Sequence, residues 1–185
     1  MGKKKVVVRV VRISKELDDI IRNDAEANGT TVSSIISSAL TRYAEWDRLA
    51  DRAGFVTFAG SFMRDIVQYV PDEELRKIVQ NMGNFLRGFT VFWFKKANFE
   101  TFLSTVRLLT KYTQATECEI HVEGRYYIMN FHHELGRKLS IAIWTLLEQA
   151  MIELGIKPTC EIGHNYLNVS FTYNPVAGGF SPPNA

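Results

Sequence analysis

Lys3-Lys4-Lys5-Val6-Val7-Val8-Arg9-Val10-Val11-Arg12-Ile13-Ser14 is the stretch on which the reading of this 185-residue chain turns. Val and Ile fit a pleated, half-buried backbone, so Val6 to Ile13 is expected to be a strand. A lone strand leaves its N–H and C=O groups unpaired and does not stand by itself. The residues that follow read as helix, so the expected partner is the same strand of a second copy. That implies an obligate dimer whose shared two-stranded ribbon carries the positive charge. A ribbon of that width fits the DNA major groove.

Working outward, Ser14 offers a helix N-cap, its hydroxyl satisfying an orphan N–H of the first turn. Leu17, Ile20, Ile21 and Ala25 recur at helical spacing, with Asp18, Asp19 and Arg22 on the outer side. Asp18 and Asp19 suit the positive end of the helix dipole. Asn28-Gly29 stops this helix, and Thr31 can cap the next one. The second stripe is Val32, Ile35, Ile36, Ala39, Leu40 and Tyr43. The helix is expected to continue past Trp46 to Ala53, with Gly54 ending it.

This segment, over about residues 5–46, resembles the ribbon-helix-helix family of DNA-binding proteins. The residues that carry the resemblance are Arg12-Ile13-Ser14, Leu17, Ile20-Ile21, the run Ala27-Asn28-Gly29-Thr30-Thr31-Val32-Ser33-Ser34, Ile35-Ile36 and Ala39-Leu40. The resemblance implies antiparallel pairing of two chains, with alternate strand side chains in the major groove. By position, Val11 and Ile13 would face the core, while Val8, Val10 and Arg12 would face bases. Lys3, Lys4, Lys5 and Arg9 would meet phosphates. Thr30, Thr31 and Ser33 would meet a phosphate at the start of the second helix. Three positions depart from the family's pattern. Val8 and Val10 offer only apolar contact. Arg9 falls on the nominal core face, from which its stem can snorkel outward. Ser34 stands where a capping-box Glu is common.

The charge distribution agrees with a basic arm. Residues 1–15 hold six Lys/Arg and no acid, residues 16–53 hold four basic and eight acidic side chains, and residues 54–185 hold twelve of each. The net charge of +2 supplies no global field. Two cysteines, Cys118 and Cys160, do not form a disulfide framework. The N-terminal apolar run is broken by arginines, and the apolar window Phe85–Phe94 contains Arg87 and falls short of a bilayer span. The expected location is cytoplasmic and nucleoid-associated, with no membrane partner.

Beyond residue 54 the reading is coarser. Phe55–Ala59 is expected as a short strand, Gly60–Tyr69 as a helix, and Pro71 as the start of another helix with Leu75, Ile78, Val79 and Met82 inward. Gly88–Phe94 reads as strand by residue type, with buried helix as the alternative. Phe99, Phe102, Leu103, Val106, Leu108 and Leu109 belong to a further helix. Cys118–Phe131 and Cys160–Phe171 read as β-hairpins turning near Glu123-Gly124 and His164-Asn165. Between them lies a long helix on Leu139, Ile143, Leu146, Leu147, Ala150 and Leu154, ended by Gly155 and Pro158. Hairpin, helix, hairpin implies an antiparallel sheet with helices on one face.

The fold expected is therefore α+β: a dimeric ribbon-helix-helix unit over 1–53, an α+β sensory or oligomerisation domain over 54–174, and a disordered tail over 175–185. Cys118, His121, His132, His133, Cys160 and His164 invite a metal reading. Period-two alternation opposes it, because Cys118, Ile120 and Val122 share one face and His121 points to the other. No metal or cofactor is expected, and both cysteines are expected as small core residues. Glu117, Glu119 and Glu161 have no matching nucleophile or base, so no enzyme is expected. The cluster of Phe89, Phe92, Trp93, Phe94, Phe99 and Phe102 reads as core before it reads as a ligand pocket. The function expected is a dimeric, sequence-specific DNA-binding transcriptional regulator, a repressor by type. Its partners would be double-stranded DNA, a second copy, with tetramers as further association, and a small-molecule effector. The competing expectation is a dimeric interaction protein that uses the ribbon only for subunit pairing.

Overall fold

The computed structural model describes residues 7–82 and 84–174. Lys3, Lys4, Lys5, Val6, Gly83 and the tail over 175–185 lie outside the described residues. The chain divides into two compact units, Met1–Arg48 and Leu49–Ala185.

In the smaller unit, residues 7–14 carry no strand pairing. Val7, Val8, Val10 and Val11 are between 66% and 93% exposed. The described part of the expected strand is thus not a strand in the single chain, because a ladder requires a second strand beside it. The helices are formed as expected. α1 (Lys15–Ala27) starts at Ser14, whose Oγ accepts the Leu17 N–H at 3.2 Å. Asn28 closes it, and Gly29 turns the chain at φ +59°. α2 (Val32–Arg42) starts at Thr31, whose Oγ1 accepts the Ser34 N–H at 3.1 Å. A wider helical turn over Tyr43–Asp47 follows; the short α3 (Arg48–Ala50) crosses the unit boundary, and the larger unit continues with a tighter turn over Asp51–Ala53 that Gly54 ends at φ +75°. Ala25 is buried from the α1 stripe, but Leu17 and Ile20 are 44% and 59% exposed, and Leu40 of α2 is 64% exposed.

The larger unit contains α4 (Gly60–Gln68), α5 (Asp72–Asn81), α6 (Phe85–Phe94), α7 (Phe99–Thr113) and α8 (Arg137–Glu153) with a sheet of β1 (Glu117–Glu123), β2 (Tyr126–His132), β3 (Thr159–Ile162) and β4 (Tyr166–Thr172). The strand order is β1-β2-β4-β3, every pair antiparallel. The architecture is α+β. The two hairpins form as the alternation predicts, the first turning through Gly124 at φ +61°, a conformation a side chain rarely adopts. Register aligns Phe131 with Leu167, Met129 with Val169 and Tyr127 with Phe171. Met129, Leu167 and Val169 are fully buried, and Phe131 and Phe171 nearly so. Phe99, Phe102, Leu103 and Val106 of α7 and Trp144, Leu147 and Met151 of α8 pack on this face. The opposite face is more polar, where Asn168 Nδ2 donates to Asn130 Oδ1 at 2.8 Å.

Three expectations fail in this unit. Gly88–Phe94 lies within α6, not in a strand, because Leu86, Phe89 and Thr90 recur at helical spacing and are buried. Thr90 Oγ1 bonds the Leu86 carbonyl at 2.6 Å and lies 2.8 Å from Thr105 Oγ1, so the buried hydroxyls are satisfied between α6 and α7. Phe55–Ala59 forms no strand, and Phe55 instead packs its ring edge-on against Phe89 at 5.5 Å. Cys118 lies at the edge of the core as expected, but Cys160 is exposed. Cys160 pairs with the buried Val169, yet it stands on β3 at the sheet's rim, where neighbours cover only one side.

Candidate ligand-binding cleft

The larger unit has a half-open cleft of about 1160 Å³. Its first wall is the start of α4 and the residues before it, Thr57, Phe58, Gly60 and Met63. The second wall is the outward stripe of α7, where Arg107, Thr110, Lys111 and Gln114 recur at helical spacing. The floor is the passage into β1, Ala115 to Cys118, beside the end of β2 from His132 to Leu135, with Asn165 from the second hairpin. Thr116 Oγ1 donates to the His132 carbonyl at 2.9 Å and ties these two floor segments together.

The end of β2 is held by a hydrogen-bond set that fixes one histidine's protonation. His133 is 8% exposed, and its N–H donates to the Asn165 carbonyl at 3.0 Å. Its Nδ1 accepts the Leu135 N–H at 3.3 Å, which requires that Nδ1 carry no proton. The proton is therefore on Nε2, which lies 2.9 Å from Ser140 Oγ in the first turn of α8. Burial lowers the His133 pKa below its usual value, with His164 and His132 pushing the same way. The imidazole is neutral. Gly136 then donates its N–H to Asn165 Oδ1 at 3.1 Å and enters α8 at φ +82° and ψ 168°. A Cβ there would stand 3.1 Å from Gln68 Nε2. Lys138 Nζ donates to the Gln68 carbonyl at 2.8 Å and also to the Val70 carbonyl, closing the end of α4 onto the start of α8.

The cleft's other ionisable groups are distributed by sign. Arg107 and Lys111 stand on consecutive turns of α7, and Lys111 Nζ also lies 4.8 Å from the centre of the Tyr112 ring. Glu117 and Glu134 belong to the floor segments and are exposed. Burial pushes the Cys118 thiol up to about 12, against the opposing pull of Arg107, so the sulfur stays protonated and is a poor nucleophile.

Of the residues expected from the sequence to form a DNA interface, Lys3, Lys4 and Lys5 lie outside the described residues and the others belong to the smaller unit. Val8, Arg9, Val10 and Arg12 lie on the segment before α1, which carries no strand pairing, and are exposed. Thr30, Thr31 and Ser33 are exposed at the start of α2, where Thr31 is already occupied as a cap. The sequence reading overlooked the cleft. It took the apolar stripe of α7 and passed over the polar stripe beside it. His121 points away from the core as predicted, 3.5 Å from Glu119. Among the described residues, no three or more His, Cys, Asp or Glu side chains are placed to hold a metal ion. No helix among them is long and apolar enough to cross a membrane.

No family model matches the chain, and no curated protein does. Among solved structures it is similar to an oxygen-binding H-NOX domain related to soluble guanylate cyclases, at 13% identity and a TM-score of 0.35, covering 97% of this chain and 82% of that one. It is similar to an H-NOX mutant carrying 4-cyano-L-phenylalanine, at 12% identity and a TM-score of 0.39, covering 97% and 84%. A structure from work on heme distortion in the H-NOX family gives 13% identity and a TM-score of 0.37, covering 96% and 82%. Likeness at this level assigns neither family nor ligand to the chain.

These findings correct the expected function. The solved structures found are described as H-NOX domains or as work on heme distortion and heme redox potential, and the DNA-binding expectation finds no support among them. A sequence-specific DNA-binding regulator, double-stranded DNA as its partner, and repression of transcription are accordingly set aside.

Proposed function

We propose that the chain is a two-unit binding protein, whose larger unit holds a small molecule in the cleft between α4 and α7. The observation that carries this reading is the cleft itself. It is large enough for a small molecule, and a mostly polar lining of threonines, histidines and charged side chains meets an apolar edge at Phe58 and Met63. Two groups of the lining are not set up as nucleophile or base. The Cys118 thiol is kept protonated, and His133 has no free nitrogen to act as a base.

The smaller unit is proposed as a ribbon-helix-helix pairing unit that joins two copies. Support comes from the β-branched segment without strand pairing and from the exposed apolar side chains of α1 and α2, Leu17, Ile20 and Leu40. An antiparallel ribbon with a second copy would satisfy that backbone and cover those side chains, at about 1.5–3 kcal/mol for each one fully buried. Light scattering on the full chain and on a chain lacking residues 1–13 tests the pairing, with a dimer expected for the first and a monomer for the second. A small-molecule library screened by thermal shift and by backbone amide NMR tests the cleft. Ligands that raise the midpoint are expected to move the Thr110, Thr113 and Leu135 amides. A monomeric full chain refutes the first part, and ligands that bypass those amides refute the second.

A further inference from the structure

Resting on the cleft as a ligand site, we infer that its ligand is a neutral saturated ring with several adjacent hydroxyl groups, a sugar or a cyclitol. Three threonines of the lining have committed their only hydroxyl proton to backbone carbonyls. Thr110 Oγ1 donates to Val106 at 3.0 Å, Thr113 Oγ1 to Leu109 at 2.8 Å and Thr116 Oγ1 to His132 at 2.9 Å. What each still offers is a lone pair, so these positions accept hydrogen bonds and do not donate them. Asn165 acts in the opposite sense. Its Oδ1 accepts the Gly136 N–H at 3.1 Å, and its amide Nδ2 supplies donors. Arg107 and Lys111 are balanced by Glu117 and Glu134, two charges of each sign, so the lining gives an ion no net attraction. A hydroxyl both donates and accepts, and neighbouring hydroxyls on one ring satisfy mixed donors and acceptors that a hydrocarbon would leave unmatched. The apolar edge accounts for the ring itself. Phe58 stacks on Phe62 with centroids 5.8 Å apart at 24°, and is 54% exposed. The weakly positive C–H groups of a saturated ring suit the negative face of that phenyl group.

The test uses the full chain with D-glucose, D-galactose, D-mannose, D-ribose and myo-inositol as polyols, and cyclohexanol, octanoate and choline as comparisons. Binding is followed by calorimetry and by NMR, read at the Thr110, Thr113 and Leu135 backbone amides and the Asn165 side-chain amide. At least one polyol is expected to bind more tightly than all three comparisons and to move these signals, and the arms distinguish hexose, pentose and cyclitol. Thr110→Val keeps the side chain's shape and removes its acceptor, so it is expected to weaken that polyol about threefold or more. Phe58→Ala, at an exposed position, is expected to weaken it about threefold or more by removing the ring face. A comparison that moves these signals and binds as tightly as every polyol, a fragment that moves them when no polyol does, or polyol binding that both variants leave unchanged overturns the hydroxyl-ring assignment and leaves the cleft reading standing. If polyols, comparisons and a broad fragment set all leave the cleft amides unmoved, the ligand-site reading falls, and this assignment falls with it.

Discussion

Removing the Ser140 hydroxyl isolates the bond that keeps His133 in place. Ser140 is fully buried and His133 nearly so, with Oγ and Nε2 2.9 Å apart. In Ser140→Ala the Nε2–H loses its acceptor and stays buried, so the expected loss is about 1–3 kcal/mol, the cost of stranding a buried donor. The same geometry dictates a pH dependence. Protonating Nδ1 would set two donors against each other at Leu135, and burial already lowers the pKa below the reference value of 6.5. Because the folded state binds this proton less readily than the unfolded chain, stability is complete above pH 6.5. It falls as the pH drops below that value, where the unfolded chain takes up the proton first. Urea unfolding between pH 8 and pH 5 would measure both effects. A Trp46→Phe background confines the fluorescence to Trp93 and Trp144 of the larger unit. His133→Gln is expected to lower stability at pH 8 and to flatten the loss below pH 6.5. A Ser140→Ala loss under about 0.5 kcal/mol, or a slope that His133→Gln leaves unchanged, would refute the reasoning.

Two further outcomes follow from the neighbouring turn. Gly136→Ala is expected to cost about 1–3 kcal/mol, since φ +82° with ψ 168° is a region close to glycine-only and the new Cβ presses on Gln68; the same urea series would show it. Lys138→Met keeps the stem but removes the ammonium that holds the Gln68 and Val70 carbonyls. It should cost about 1.5–3 kcal/mol and speed amide exchange at the end of α4, and unchanged exchange there would contradict the capping role.

The elements that could be read from the sequence are those whose cause lies within a few residues. Ser14 and Thr31 cap α1 and α2 as their hydroxyls require, and Gly29 and Gly54 end helical paths. Both hairpins follow the period-two alternation that puts Met129, Phe131, Leu167 and Val169 on one face. The failures have a common origin in neighbours distant along the chain. Residue type suggested a strand for Gly88–Phe94, but burial of Leu86, Phe89 and Thr90 against α7 is what selects helix. Cys160 alternates correctly and is still exposed, because its strand is an edge. The basic, β-branched start was read as a ribbon, yet pairing is a property of two chains and not of one.

The chain's order along itself thus decided where helices start, where strands turn and which side of each strand is apolar, since caps, glycine turns and alternation act over a few residues. The cleft was decided only by folding. Arg107 and Lys111 look like an ordinary solvated stripe until α4 is set opposite them, and His133 looks like a stray histidine until Ser140 and Leu135 close on its two nitrogens. Such sites depend on backbone segments that the sequence keeps far apart and the packed core brings together.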